Sequence, residues 1–136
     1  MEELPIRTGD DVVRVRQQVR VVAAQNGLSL VDQTKLVTAA SELARNALVH
    51  GGGGLARVEV VTSGTGKPGV RIDFTDDGPG IADVDLALTD GWTSGDGLGL
   101  GLSGARRLVD EFELTSKPGH GTSVVVVKWS SGTWPQ

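Results

Sequence analysis

Between residues 30 and 50 the apolar positions Leu36, Ala40, Leu43 and Ala47 recur at steps of four, three and four, which keeps one stripe of a 3.6-residue helix apolar. This is the longest helical pattern in the chain, and Gly51, Gly52, Gly53 and Gly54 stop it. Residues 10–26 carry Val12, Val13, Val15, Val19 and Val22 at mixed helical spacings and predict an earlier helix, capped by Gly27. Beyond the glycines the period changes to two. Val58 and Val60 alternate with Arg57 and Glu59, and Val70, Ile72 and Phe74 with Arg71 and Asp73, predicting strands over 55–62 and 70–76, each with one buried and one wetter face. Residues 63–69, rich in Gly and Ser with Pro68, form the turn between them. Residues 3–7 predict a short strand, 83–90 a weak helix, and 102–110 a helix with Leu102, Ala105, Leu108 and Val109 apolar. Residues 112–117 and 122–129 close the pattern as a hairpin around Pro118, Gly119, His120 and Gly121, and 130–136 is expected to fray.

Strand pairs joined by short turns are antiparallel. The order β, α, α, β, β, short α, loop, α, β, β therefore predicts one α/β domain over residues 1–136, of the α+β kind. It is a two-layer sandwich whose mixed, mostly antiparallel sheet carries helices on one face. Val124, Val125, Val126 and Val127 point both ways from the last strand. The amino-terminal segment is expected to cover one of those faces, with a partner or homodimer face as the alternative.

Composition narrows the function. The 136 residues, 38% hydrophobic and 22% charged, suit one globular core. With no cysteine, thiolate chemistry and disulfide scaffolds are excluded. No apolar run approaches the roughly 18 residues of a membrane span, and the acidic start at Glu2 and Glu3 is unlike a signal peptide, so a soluble cytoplasmic domain without membrane contact is expected. A net charge of −4 argues against nucleic acid as a partner. Glycine is the outlier, 20 residues, most of them between Gly51 and Gly101. Such a stretch calls for unusual backbone or close approach to a ligand.

Three groups of residues carry candidate chemistry. Glu42 and Asn46, four apart on the long helix, share a ridge separate from the apolar stripe. A carboxylate there can take a proton, and a carboxamide oxygen suits Mg²⁺. Taken alone, the pair is an ordinary solvated helix face. Asp76, Asp77, Gly78, Pro79 and Gly80 follow a strand. Asp76 is an acceptor suited to an exocyclic amino group, and the glycines admit a flat ring; a plain turn is the simpler account. Gly95, Gly97, Gly99 and Gly101 alternate into a helix and can form a backbone anion nest. Between residues 76 and 96 there are acids but no Lys or Arg, so a phosphate bound there relies on backbone amides and a divalent cation.

Other motifs fail their context. Gly99, Gly101 and Gly104 fit G-x-G-x-x-G, yet no strand precedes them and no acid follows at the required distance. No Lys-Ser or Lys-Thr completes a Walker loop, and the protein-kinase signature set is missing. His50 and His120, far apart in sequence, are expected to be structural.

Taken in order, Glu42, Asn46 and His50, then Asp76, Gly78 and Gly80, then Gly97, Gly99 and Gly101, then Gly121 and Thr122 resemble the N, G1 and G2 boxes of the GHKL ATPases. That family has the Bergerat fold of gyrase, Hsp90, MutL and histidine-kinase ATPase domains. Gyrase-like members need a transducer domain and histidine kinases a phosphoacceptor helix pair, neither of which fits in this length. The stand-alone anti-sigma regulatory serine/threonine kinases remain. The runs Ser41 to Asn46, Asp90-Gly91-Trp92, Gly101 to Phe112 and Lys128-Trp129 are most similar to their stressosome switch kinases.

The resemblance implies ATP or ADP with Mg²⁺ as ligands. It makes Glu42 the general base, Asn46 the Mg²⁺ ligand and Asp76 the acceptor for the adenine amino group, supported by Thr122. Gly78 and Gly80 would admit the ring, and Gly97, Gly99 and Gly101 would form lid and phosphate nest, while Arg45 is left between phosphate and partner. The implied substrate is a STAS-domain protein, with a PP2C-type phosphatase or a sigma factor as a further partner. The rival is a nucleotide-binding anti-sigma module that sequesters a partner without chemistry. Asp77, where histidine kinases usually carry Asn, and Asp96, in the lid, depart from the family pattern.

Overall fold

Thr8 opens the first helix through a reciprocal cap: its hydroxyl accepts from the Asp11 N–H while the Asp11 carboxylate accepts from the Thr8 N–H. In this computed structural model, which describes residues 1–81, 88 and 101–130, five strands and three helices follow one another. They are β1 (Glu2–Ile6), α1 (Gly9–Gln25), α2 (Leu30–Val49), β2 (Gly54–Thr62), β3 (Pro68–Asp76), α3 (Leu102–Leu108), β4 (Glu111–Ser116) and β5 (Thr122–Trp129). The sheet order is β1-β2-β3-β5-β4, and every pairing among the described residues is antiparallel, where a mixed sheet was allowed for. The helix expected over 83–90 lies outside the described residues.

Alternation in the strands supplies the inner face: Ile6, Ala56, Val58, Val70, Ile72, Phe74, Val124 and Val126 are buried. The α2 stripe of Leu36, Ala40, Leu43 and Ala47 packs with them in one core, joined by Val15, Val19 and Ala23 of α1 and by Leu102 and Ala105 of α3. Val13, expected within the helical pattern of α1, points outward and is 43% exposed. No helix among the described residues is long and apolar enough to cross a membrane.

Helix α3 stops at Leu108, two residues short of expectation, because Asp110 has other partners. Its carboxylate accepts from the Trp129 N–H at 2.7 Å and from Lys128 Nζ at 3.2 Å, and its own N–H donates to the Val127 carbonyl at 2.9 Å. Lys128 faces the helix layer, buried, and also lies 3.6 Å from Asp32 in the first turn of α2.

The valine-rich strand β5 is covered differently from expectation. β1 pairs at the opposite edge of the sheet and does not reach it. Val124 and Val126 lie in the core beneath the helices, whereas Val127 sits on the outer face between Arg71 of β3 and Glu111 of β4 and is buried there within the single chain. The Trp129 ring lies over Gly69 of β3, its indole N–H donating to Glu111 at 2.8 Å.

Candidate active site

Pairing of β3 with β5 sets Asp76 opposite Thr122 at the end of the sheet, beneath the last turn of α2. A narrow pocket of about 50 Å³ opens there. Leu43, Ala47, Phe74, Ile81, Leu102 and Val124 give it apolar walls, and Asn46, His50, Asp76 and Thr122 are its polar side chains. Two wider clefts adjoin it and share Asp76. One, of about 640 Å³, runs along Gly51, Gly52, Gly53 and Gly54 past Arg7 and Asp77; the other, of about 270 Å³, runs along the β4–β5 turn. Apolar walls with a single acid suit a flat, uncharged ring bearing a hydrogen-bond donor.

Asp76 is held in place from several sides. Its Oδ1 accepts from the Gly78 N–H at 2.9 Å, which folds the loop after β3 into an Asx turn. Burial pushes its carboxyl pKa above the usual aspartate value; the N–H groups of Gly78 and Thr122 pull it down, and neighbouring Asp77 adds a smaller upward push. Gly78 and Gly80 acquire local structural reasons. A Cβ at 78 would come within 2.6 Å of the Gly51 Cα. Gly80 has φ +78° and lies against the Lys117 backbone.

Thr122 belongs to a hydroxyl chain that sequence reasoning missed. Its Oγ1 is 3.0 Å from Ser116 Oγ, which accepts from the Ile81 N–H at 2.7 Å and donates to the Gly121 carbonyl at 3.1 Å. With the Ser116 proton directed at Gly121, the Thr122 hydroxyl donates to Ser116 and keeps lone pairs for the pocket. The only hint in the sequence was a serine at the end of the last hairpin's first strand, opposite Thr122. His50, expected to be structural, caps α2 and lines the pocket.

Glu42 and Asn46 stand one turn apart on α2, both half-buried instead of on an exposed ridge. Asn46 reaches the pocket wall; Glu42 lies farther out, its carboxylate against the backbone of Gly101, which has φ +67° and begins α3. Arg45 is exposed on α2. The structure thus brings Asn46, Asp76, Gly80 and Thr122 into one pocket, with Gly78 behind Asp76 and Glu42 beside Gly101. Gly97 and Gly99, together with Trp92 and Asp96, lie outside the described residues.

A sequence profile for the family described as histidine kinase-, DNA gyrase B-, and HSP90-like ATPase matches residues 31–131, from the start of α2 to beyond β5. The chain belongs to this GHKL ATPase family. Within it, the chain is 44% identical over 124 residues to the serine/threonine-protein kinase RsbT of Bacillus subtilis, covering 91% of this chain and 92% of the relative. An anti-sigma F factor of Pasteuria penetrans is 33% identical over 121 residues, 83% of this chain and 79% of that protein. Among solved structures, the RsbU and RsbW domains of Rv1364c from Mycobacterium tuberculosis match with a TM-score of 0.63 at 25% identity, over 97% of this chain but only 34% of that longer one. The catalytic domain of histidine kinase ThkA shares the fold with a TM-score of 0.53 at 15% identity, over 96% of this chain and 97% of that one.

Proposed function

We propose that this GHKL protein is a serine/threonine-protein kinase of a cytoplasmic partner-switching pathway, a single domain that uses Mg²⁺ and ATP to phosphorylate a STAS-domain protein. The observation that carries the reading is the arrangement on α2: Asn46 at the wall of the pocket that Asp76 closes, and Glu42 one turn farther out beside Gly101. The similarity to RsbT over nearly the whole chain supports the same activity.

Phosphoryl transfer depends on positioning and charge neutralisation. Asp76 accepts from the adenine amino group with Thr122 beside it, and the apolar walls hold the ring. By the family resemblance, Gly97, Gly99 and Gly101 would enclose the phosphates with backbone N–H groups. Asn46, at the pocket wall, would hold Mg²⁺ through its side-chain oxygen, a hard donor of the kind that ion takes, and the ion would supply positive charge against the phosphates. Glu42 orients the incoming serine or threonine hydroxyl and takes its proton as the oxygen attacks the γ-phosphorus and ADP departs. Arg45, exposed one residue before Asn46, contacts either the phosphates or the protein substrate.

Phosphorylation of the STAS partner would release the kinase to engage a further regulator, a PP2C-type phosphatase. On the outer face of β5 Val127 is buried within the chain and Val125 half-buried, and a homodimer over that face is the alternative to a monomer. The test is transfer of labelled γ-phosphate from ATP, with Mg²⁺, onto STAS-domain proteins of the same genome. Label should appear on serine or threonine and vanish with Glu42→Gln while nucleotide still binds; retained transfer would remove Glu42 from the role of base. The anti-sigma F factor relatives favour a second reading, a nucleotide-holding module that sequesters a sigma factor. No ATP consumed in the presence of partner, with ADP bound, would decide for it.

A further inference from the structure

Gly51 looks like the end of a helix and nothing more, yet its Cα is enclosed by the site. A Cβ placed on it would stand 2.7 Å from the Asp76 Cβ and 2.7 Å from the Ala47 carbonyl oxygen, and closer still to the Asp76 carboxyl carbon. From the other side, a Cβ on Gly78 would meet the Gly51 Cα at 2.6 Å and its carbonyl oxygen at 2.9 Å. Gly51 is not in the left-handed region, so what it supplies is space and not backbone freedom.

Neither surrounding wall is free to retreat. The Gly51 N–H donates to the Asn46 carbonyl at 3.1 Å, and the Ala47 carbonyl accepts from the Gly53 N–H at 2.8 Å, which pins the end of α2. The Asp76 carboxyl group is the one neighbour that can rotate; the Asp76 Cβ and the Ala47 carbonyl oxygen do not move with it. A methyl group at position 51 therefore turns that carboxylate out of its seat, breaking its bond to the Gly78 N–H, and also forces the ends of α2 and β3 slightly apart.

We propose that Gly51 is a specificity-determining positioning residue: by leaving room for the Asp76 carboxylate against the end of α2, it lets the pocket distinguish a purine bearing a 6-amino group from one without it. The inference rests on Asp76 reading adenine, as proposed above.

The experiment is calorimetric titration of the full chain, with Mg²⁺, against ATP and against purine riboside triphosphate, which keeps the ring shape and the phosphates but lacks the amino group. The wild-type chain should prefer ATP by at least about tenfold, the scale of a hydrogen bond to a charged group. Gly51→Ala should bring that ratio to within about twofold of unity while affinity for purine riboside triphosphate changes by less than about threefold, and adding Asp76→Asn should not lower the ratio further. If Asp76→Asn alone leaves the preference intact, the adenine reading itself fails. If Asp76→Asn erases the preference and Gly51→Ala keeps it, only the role of Gly51 is overturned. Should Gly51→Ala be too unstable to titrate, denaturant unfolding of Gly51→Ala, Asp76→Gly and the double variant closes a cycle: a smaller loss from Gly51→Ala when residue 76 is glycine supports the contact, and an equal loss, leaving the Ala47 carbonyl as the whole clash, overturns it.

Discussion

Replacing Asp76 with Asn tests the site through two effects of opposite sign. The carboxylate presents two oxygens, of which Oδ1 is taken by the Gly78 N–H at 2.9 Å. Asn has a single acceptor oxygen. If that oxygen stays with Gly78, the pocket faces the ligand with an NH₂ group, a donor opposed to the amino donor of adenine. A hydrogen bond to a charged group is worth about 1.5–3 kcal/mol, so ATP affinity should fall about 10- to 150-fold.

The ligand-free chain should lose no stability and is expected to gain some. Burial raises the folded-state pKa of Asp76, so near that pKa the folded chain binds more protons than the unfolded one. The stability contributed by the protonated acid is complete below the unfolded aspartate value and is lost as pH rises through the folded value. At neutral pH the wild-type chain has lost that contribution; the Asn variant, which never ionises, has not. Thermal unfolding of both chains without nucleotide should therefore show a Tm for Asp76→Asn equal to or above that of wild type at pH 7, with any excess shrinking as pH falls toward the unfolded aspartate range. A variant that binds ATP normally, or one whose Tm drops at neutral pH, would refute the reasoning.

Two more substitutions probe neighbouring elements. At Gly101, Ala should cut phosphoryl transfer about tenfold or more, because its Cβ strikes the Glu42 carboxylate. Asn tolerates positive φ better than Ala does, so Asn rescuing transfer would assign the defect to backbone strain instead of to Glu42. Lys128→Met removes a buried positive charge from beside Asp32 and Asp110 and should cost about 3–5 kcal/mol in denaturant unfolding. A loss under about 1 kcal/mol would show that these ions do not depend on one another.

Much of the fold was legible because local periodicity reports which face of an element is apolar. The α2 stripe, the alternation in β3 and the last hairpin lie where the pattern put them; in β2 Val58 is buried as expected, but Val60, expected on the same buried face, is 51% exposed. Where the pattern misled, a distant contact had decided the outcome. Asp110 left helix α3 for the backbone and side chain of β5.

The sequence by itself determined the element types, the antiparallel hairpins and the order of motifs from Glu42 to Thr122, because propensity, turn chemistry and spacing act within a few residues. Only the tertiary structure decided what those motifs meet. The order β1-β2-β3-β5-β4 sets Asp76 opposite Thr122, and through Thr122 brings in Ser116 and Ile81. The end of α2 lies over that point, which places His50 in the pocket and Gly51 against Asp76. No local rule could supply these contacts. A strand's alternation names its faces but not its neighbour, and a glycine has no side chain, so the reason for it lies in the atoms that occupy the space where one would be.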